Sequence, residues 1–294
     1  MKVMEIRDDW SLDNLKLGER PKPEPGPGQV LIKMQAASLN YRDTVMVNRG
    51  YGRRSGELPL VPVSDGAGTV EAISDGVTRA AVGDLVCPIF GQNWMDGLFR
   101  EECWAGTLGG PLDGVMQEYM VLDEAGVVKA PAGWDAAAAA TLPCAAVTAW
   151  NAVVEQGGLR PGDTVVIQGT GGVSLFALIF AKMLGCQTVI TSSSDEKLAR
   201  AKAYGWDHSV NYRETPDWFK AVRAATGGKG ADLVVEVGGS GTLEQSLRAL
   251  KPGKTISLIG VLSGGKGELS LGPVVTQNVR LQGVTVGSRA MFEA

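Results

Sequence analysis

The sequence predicts an α/β protein in two parts, a β-rich first part followed by a doubly wound parallel sheet with helices on both faces. Up to about residue 130, short apolar runs bounded by Gly, Asp and Pro follow one another without long helical patterns, which is typical of a barrel or a sandwich. Beyond that point strand and helix patterns alternate, and the apolar runs are continuous, as strands buried on both faces require. We therefore place two domains at residues 1–130 and 131–294.

The first part carries four strand candidates and one long loop. The strands are expected at Gln29–Ala37, Gly66–Ser74, Gly83–Phe90 and Tyr119–Ala130. The pattern fades between Gly91 and Gly114, which we interpret as an irregular loop. An Ala-rich segment, Trp134–Val154, then predicts one or two helices, with Pro143 as the expected break.

The second part carries regularly spaced strands and helices. Helices are expected at Val173–Leu184, Asp195–Tyr204, Asp217–Ala225 and Leu243–Leu250. Strands are expected at Thr164–Gln168, Thr188–Ser192, His208–Asn211, Asp232–Val237 and Lys254–Val261. A last strand, Val279–Val286, is expected at the edge of the sheet.

Composition and charge exclude several classes of protein. The 28 basic and 32 acidic residues give a net charge of −4, which argues against a nucleic-acid binder. The apolar stretches fall short of a membrane span of ~18 residues, and the acidic N-terminus does not fit a signal peptide. Four scattered cysteines then predict a cytoplasmic protein without disulfides. The single histidine, His208, excludes multi-histidine metal sites.

A glycine-rich turn follows the first strand of the second part. It reads Gly169-Thr170-Gly171-Gly172-Val173-Ser174. Gly169 allows the tight turn, Gly171 lets the backbone approach a pyrophosphate, and the N-terminus of the next helix binds the anion. Ser174 stands where a third glycine is usual, a position that needs a small side chain for packing of the helix on the strand. The pattern predicts a dinucleotide site, and a glycine turn without a ligand is the alternative.

The end of the second strand indicates which dinucleotide is bound. NAD enzymes place an acid there to hold the ribose 2′-hydroxyl, whereas this strand ends in Ser192 and two further serines. Hydroxyl groups and the nearby Lys197 suit a 2′-phosphate, which needs donors and positive charge. We therefore predict NADP(H) rather than NAD(H). If the strand ended two residues later, Asp195 could reach the ribose and reverse the preference.

Several motifs carry a resemblance to a known family. They are the glycine turn, Val210-Asn211-Tyr212, and the segments Ser38-Leu39-Asn40-Tyr41-Arg42-Asp43, Pro62-Val63-Ser64-Asp65-Gly66-Ala67-Gly68 and Leu142-Pro143-Cys144-Ala145-Ala146-Val147-Thr148-Ala149-Trp150. Through them the chain resembles the zinc-independent branch of the medium-chain dehydrogenase/reductase superfamily, the quinone oxidoreductase-like and alcohol dehydrogenase-like proteins. The resemblance implies a GroES-like β-barrel catalytic domain followed by a doubly wound Rossmann domain, with the active site in the cleft between them.

The resemblance also implies that catalytic zinc is absent. Zinc members hold the metal with a Cys, a His followed by Glu, and a second Cys. Asn40, Ser64 and Cys144 stand at the Cys, His and second Cys positions, and one thiolate falls short of the roughly three protein ligands that catalytic zinc needs. The loop that holds structural zinc in such members has only Cys103 here. We expect Cys144 to be a packed thiol.

Site residues follow from the same resemblance. Asn40 and Asp43 are expected to line the nicotinamide pocket, and Tyr51 to face the substrate. Lys197 and Tyr212 are expected to contact the adenosine 2′-phosphate, near Ser192. The remaining cofactor-binding residues are expected to be Thr148, Gly169, Thr170, Gly171, Gly172, Val173, Gly238, Gly260 and Val261.

The resemblance implies an NADP(H)-dependent oxidoreductase that transfers hydride to a quinone, an enone or another carbonyl substrate. Zinc-independent alcohol dehydrogenation and NADPH binding without turnover are the alternatives. The relatives pair the strand at 279–286 across a two-fold axis, so we expect a homodimer. Family chains usually continue for several tens of residues beyond this strand, so the C-terminal return to the catalytic domain is expected to be missing.

Overall fold

The computed structural model describes all 294 residues and divides them into two compact units. The first unit comprises Met1–Val147 together with Gly287–Ala294, and the second comprises Thr148–Val286. The division after Val147 lies later than the boundary expected at residue 130. The reason is packing, because Ala139 and Ala140 are buried in one cluster with residues of the first sheet.

The first unit is built on antiparallel strands. They are β1 Lys2–Ile6, β2 Leu15–Glu19, β3 Gln29–Ser38, β4 Asp65–Ile73, β5 Leu85–Pro88, β6 Tyr119–Asp123 and β7 Val127–Lys129. β1 pairs with β2, and the other five form one sheet of order β6-β3-β4-β5-β7. The two edge strands β6 and β7 are separated in the chain by only one 3₁₀ turn, Glu124–Gly126. The sheet must therefore curl so that its edges approach each other, as the GroES-like prediction required.

One helical stretch runs from the first unit into the second. The first unit has helices α1 Tyr41–Val47, α2 Glu102–Ala105 and α3 Ala136–Ala139, and α4 Val147–Trp150 follows. With π-helical turns at Leu142–Ala146 and Asn151–Glu155, α3 and α4 form a continuous stretch over Ala136–Glu155. Pro143 does not break this stretch, because it lies near the start of the first π-helical turn, whose wider geometry accommodates it. By length and composition this stretch could cross a membrane, whereas only apolar runs too short for a membrane span were expected from the sequence. However, 67% of its most apolar window is buried inside the protein.

The second unit is a parallel sheet with helical connections. Its strands are β8 Thr164–Gln168, β9 Gln187–Ser192, β10 His208–Asn211, β11 Ala231–Glu236, β12 Leu250–Leu258 and β13 Arg280–Gly283. Its further helices are α5 Gly172–Met183, α6 Asp195–Ala201, α7 Trp218–Ala225, α8 Leu243–Ala249 and α9 Leu271–Thr276. The strand order is β10-β9-β8-β11-β12-β13, which is the Rossmann order 3-2-1-4-5-6. The predicted doubly wound sheet is confirmed.

The core of the second unit lies on both faces of this sheet. Alternate residues of β8 belong to different clusters, since Ile167 packs with α5 and Val166 packs with α7 and α8. The first cluster includes Leu178 of α5, and the second includes Trp218 and Leu247. Burial on both faces explains why the strand sequences are continuously apolar.

The last eight residues, Gly287–Ala294, belong to the first unit and include helix α10, Arg289–Glu293. The backbone N–H groups of Arg289 and Ala290 donate to the carbonyl oxygens of Trp94 and Met95. Phe292 packs against the cluster that contains Ala139. These eight residues therefore pack with the first unit, although the second domain was expected to run to residue 294.

Candidate functional site

The carboxyl edge of the parallel sheet has the geometry of a nucleotide site. From β8 the chain continues to β9 on one side, whereas from β11 it continues to β12 on the other side. Ligands of open α/β sheets bind at this topological switch point, beyond the carboxyl ends of the strands. A nucleotide at this position would contact the loops after β8, β9, β11 and β12.

The predicted glycine turn lies at the start of α5. Gly169 has φ = +75°, a conformation that favours glycine. Gly171 is the N-cap residue of α5 and provides no side-chain cap for the first-turn N–H groups, which have no partner within the helix. A Cβ at Gly171 would meet no atom within 4 Å. The turn with Thr170, Gly172 and Val173 therefore offers open backbone donors and a positive helix end, which fit a pyrophosphate.

Ser174 explains the departure from the usual third glycine. Its side chain is buried, and its hydroxyl donates to the carbonyl oxygen of Gln168 at 2.7 Å. The small side chain therefore connects the first turn of α5 to the end of β8, in agreement with the packing role expected for this position.

Ser192 and Tyr212 meet at the end of β9. The Tyr212 N–H donates to the Ser192 carbonyl oxygen at 3.0 Å, and the Tyr212 side chain is 42% exposed. β9 ends at Ser192 as predicted, so Asp195 begins α6, where it accepts a hydrogen bond from Asn211 at 3.1 Å. Lys197 lies in the first turn of the same helix with an exposed side chain. No acid occupies the strand end itself.

The loops after β11 and β12 are held together by backbone hydrogen bonds. Ser263 N–H donates to the Gly238 carbonyl oxygen at 2.7 Å, and Ile259 N–H donates to that of Glu236 at 2.9 Å. A Cβ at Gly260 would collide with the Val237 carbonyl oxygen, and one at Gly238 would collide with the Thr242 side chain. Glycine is therefore required at both positions. Val261, by contrast, is half-exposed, and Thr148 is buried in α4.

A second group of predicted residues lies in the first unit, around the start of α1. Asn40 is the N-cap residue, and its N–H donates to Asp43 Oδ2 at 2.7 Å. This is one half of a capping box, which explains the spacing of the two residues. Asp43 is buried, and burial raises the pKa of its carboxyl against the opposing effects of the Asn40 N–H and Arg42.

Asp65 also belongs to this group, although it was not predicted as a site residue from the sequence. It is fully buried at the start of β4. Its carboxylate accepts from the Ser64 hydroxyl at 2.7 Å and from the Cys144 N–H at 2.8 Å, and the Asn40 side chain also hydrogen-bonds to it. Burial raises the pKa of Asp65 to about 6 in spite of these donors. Asp65 thus brings together the three positions Asn40, Ser64 and Cys144.

Arg42 is a further residue that the sequence analysis did not assign. Its Nη1 donates to the Leu108 carbonyl oxygen at 3.1 Å, and its guanidinium lies 4.7 Å from the Phe90 ring centroid and 6.0 Å from that of Tyr51. Burial raises the pKa of Tyr51, while the Arg42 charge opposes the shift. The Tyr51 hydroxyl is therefore protonated at neutral pH and can donate a hydrogen bond.

The donor set of the first unit does not fit catalytic zinc. The three positions that hold zinc in zinc-dependent members carry an amide, a hydroxyl and one thiol, and the adjacent Asp65 already accepts hydrogen bonds from all three residues. No group of three His, Cys, Asp or Glu residues could hold a metal ion, whereas catalytic zinc uses about three such ligands.

Fold and site together define a class, the dinucleotide-dependent oxidoreductases with a curled β-domain and a Rossmann domain. Residues 26–132 match the family "Alcohol dehydrogenase GroES-like domain", and residues 172–294 match "Zinc-binding dehydrogenase". The first match lies within the first unit, and the second covers most of the second unit together with the last eight residues of the chain.

Whole-chain similarity is also high. The chain is 42% identical to a zinc-type alcohol dehydrogenase-like protein of Schizosaccharomyces pombe, over 98% of this chain and 85% of that protein. A solved structure of a provisionally assigned alcohol dehydrogenase from Sinorhizobium meliloti 1021 matches with 45% identity and a TM-score of 0.90, over 100% of this chain and 87% of that one. A structure named NAD-dependent alcohol dehydrogenase matches with 36% identity and a TM-score of 0.89, over 99% and 86%.

Other matches are named quinone oxidoreductase, from Pseudomonas syringae pv. Tomato DC3000, and 2-haloacrylate reductase, from a Burkholderia species. The chain belongs to the medium-chain dehydrogenase/reductase superfamily. It is accordingly an oxidoreductase that uses a nicotinamide nucleotide and a small-molecule substrate.

Proposed function

We propose that this protein is a zinc-independent, NADP(H)-dependent oxidoreductase that transfers hydride to an enone, a quinone or another conjugated carbonyl compound. The observation that carries the proposal is the group around Asp65, where neutral donors stand in place of a zinc ligand set. The cofactor supplies the hydride. The protein must bind it, orient the substrate and stabilise the negative charge that develops on the substrate oxygen.

Tyr51 and Asn40 are the groups proposed for this last task. The raised pKa of Tyr51 keeps its hydroxyl protonated at neutral pH, so it can donate a hydrogen bond to an oxyanion. The Asn40 amide is proposed as a second donor, and its position is fixed by the capping box and by Asp65. Because its NH₂ group also donates to the Ser38 carbonyl oxygen at 3.5 Å, it must exchange this long hydrogen bond for one to the substrate oxygen. Asp43 is proposed to line the same pocket. Hydrogen bonds polarise a carbonyl group less than zinc does, which suits substrates whose conjugation spreads the charge.

The preference for NADP(H) is supported by the end of β9. Ser192 replaces an acid there, Asp195 is engaged by Asn211, and Lys197 and Tyr212 are exposed close to the strand end. The pyrophosphate is assigned to the turn Gly169–Val173, and the ribose and nicotinamide to Gly238, Gly260, Val261 and Thr148. NAD(H) is the second candidate, because one similar structure is named for NAD.

Zinc-independent alcohol dehydrogenation is the second candidate reaction, since several similar proteins are named alcohol dehydrogenases, although the one from Schizosaccharomyces pombe is named zinc-type. NADPH binding without turnover is the third candidate. We also expect a cytoplasmic location, which stays a prediction from cysteine usage.

The test is oxidation of NADPH by purified protein with a panel of quinones, enones, simple aldehydes and ketones, with and without EDTA. We expect turnover of conjugated substrates that EDTA does not abolish. Tyr51→Phe should lower kcat by roughly 100- to 1,000-fold, on the scale of losing one oxyanion donor, and leave the Kd for NADPH unchanged. Loss of activity in EDTA with recovery on adding Zn²⁺ would disprove zinc independence. Nucleotide binding without oxidation of NADPH by any substrate would favour the non-catalytic alternative.

A further inference from the structure

A buried hydrogen-bond network joins the ends of the two central strands of the parallel sheet. Gln168 is the last residue of β8 and Glu236 is the last residue of β11, and both are buried. Because Val235 pairs with Ile167, the two side chains are neighbours on adjoining strands. Gln168 Nε2 donates to Glu236 Oε2 at 2.6 Å. The contact lies where the loops of the proposed nucleotide site begin.

Donors surround both oxygens of the Glu236 carboxylate. Its Oε1 accepts from the N–H groups of Gly238 at 2.8 Å and Gly239 at 3.0 Å, and from the Thr242 hydroxyl at 2.6 Å. Its Oε2 accepts from the Ser246 hydroxyl as well as from Gln168. A fully buried carboxylate is tolerated when it is hydrogen-bonded in this way. Four of its five donors belong to the loop after β11 and to α8.

Gln168 holds the same loop from the other side. Its Oε1 accepts from the N–H groups of Val237 and Gly238, each at 3.2 Å, and its Nε2 also donates to the Ser246 hydroxyl oxygen at 2.8 Å. Gln168 directly precedes Gly169 in the chain. One network therefore fixes the loop after β11 relative to the start of the glycine turn after β8.

We propose that Glu236, together with Gln168, is a positioning residue for the nicotinamide nucleotide. Its carboxylate orients the glycine loop assigned to the ribose and nicotinamide relative to the turn assigned to the pyrophosphate. This inference rests on the proposed function, since that function assigns the nucleotide to these loops.

The donor and acceptor pattern makes single amide or acid substitutions incompatible with the network. In Glu236→Gln, the oxygen of the new amide is needed by the Gly238 and Gly239 N–H groups, so its NH₂ group faces the NH₂ group of Gln168. In Gln168→Glu, two carboxylates face each other in a buried site. Neither single variant can satisfy every partner.

The exchanged pair, Gln168→Glu with Glu236→Gln, can satisfy every partner again. The carboxylate at 168 accepts from Val237 and Gly238, and the amide at 236 accepts from Gly238, Gly239 and Thr242. The amide NH₂ group at 236 donates to the carboxylate at 168, and the Ser246 hydroxyl reverses to donate to that carboxylate. This double variant keeps composition and charge and only exchanges the two groups.

The experiment measures the Kd for NADPH by nicotinamide fluorescence and the melting temperature of the wild type, both single variants and the double variant. We expect each single variant to weaken NADPH binding by roughly tenfold or more, as for loss of a buried charged hydrogen bond. The double variant should bind within about threefold of the wild type. Single variants that bind NADPH as the wild type does, or a double variant as weak as the single ones, would overturn the proposal.

A milder variant covers the case in which the single variants do not fold. Thr242→Val removes one donor to Glu236 Oε1, and Thr226→Val is the control, because its hydroxyl caps a turn before β11 at the opposite edge of the sheet. We expect Thr242→Val alone to raise the KM for NADPH several-fold, with the KM for the carbonyl substrate unchanged. Equal effects of the two variants would reject the positioning role. A wild type that binds no nicotinamide nucleotide would reject the proposed function itself.

Discussion

Asp65 shows how a single buried residue organises the first unit. Its partners come from three separate segments, since Asn40 begins α1, Ser64 precedes β4 and Cys144 lies in the helical stretch after α3. Burial favours the neutral acid and raises its pKa to about 6 from the ordinary value of 3.8. Between these two pH values the folded state holds a proton that the unfolded state has lost. The contribution of Asp65 to stability therefore falls as pH rises from about 4 to 6.

Asp65→Asn tests this electrostatic cost, because asparagine does not titrate. We expect the stability of the variant relative to the wild type to rise by about 2–3 kcal/mol between pH 4 and pH 7, from about 1.4 kcal/mol per pKa unit. The measurement is urea unfolding of both proteins across that range. The variant also loses a hydrogen-bond acceptor at residue 65. This loss changes the difference in unfolding free energy between the two proteins by the same amount at every pH, so it does not alter how that difference depends on pH. A difference that stays constant with pH would contradict the raised pKa.

At the scale of single elements, the strands and helices of the second unit were predictable because its apolar runs are separated by Gly and Pro. The expected strands Thr164–Gln168 and His208–Asn211 are observed unchanged, and the other strands of the parallel sheet differ by a few residues at their ends. β12 begins earlier than expected, at Leu250, because Pro252 and Gly253 form an irregularity within the strand rather than a turn before it. The expected strand Tyr119–Ala130 is two strands with a 3₁₀ turn between them.

Other elements gave too weak a signal to be predicted. β1 and β2 are five residues each and carry charges, and α9 contains Pro273 and has no buried residue. The roles of Arg42 and Asp65 depend on partners far away in the chain, such as Leu108 and Cys144. Sequence spacing does not reveal contacts of that kind. The capping box of Asn40 and Asp43, in contrast, is local and could be inferred from a motif.

The junction of β9 and α6 carries the prediction on cofactor preference. Lys197 is exposed in the first turn of α6, and Ser192 ends β9. If Lys197 makes a charge-assisted hydrogen bond to a 2′-phosphate, worth roughly 1.5–3 kcal/mol, Lys197→Ala should weaken NADPH binding by roughly 10- to 100-fold and leave NADH nearly unchanged.

Fluorescence titration with both nucleotides checks this prediction. The matched control is Lys229→Ala, which removes another exposed lysine from the turn before β11, at the amino edge of the sheet, and should change neither affinity. Ser192→Asp should penalise NADPH, because an acid would face the 2′-phosphate. Equal affinity of the wild type for NADPH and NADH, or an equal loss of both in Lys197→Ala, would contradict the assignment.

At the scale of the whole molecule, the parallel sheet of the second unit ends in an exposed edge. β13 pairs with β12 on one side only, and unpaired edges favour association with another strand. Exposed apolar side chains accompany this edge, namely Leu281 on β13 and Leu271 and Val275 on the preceding helix α9. Pairing of β13 with β13 of a second copy across a two-fold axis would cover both edges at once.

We therefore predict a homodimer formed through β13. Light scattering at micromolar concentration should give twice the chain mass, and Leu281→Glu should shift the population to monomer, since two new carboxylates would meet near the two-fold axis. Leu12→Glu places the same charge on an exposed leucine of the first unit and should leave the dimer intact. Because only the edge strand changes, NADPH binding by the Leu281→Glu monomer should persist if the nucleotide site is complete within one chain. A wild type of single-chain mass, or a Leu281→Glu variant that remains dimeric, would show that β13 does not form the interface.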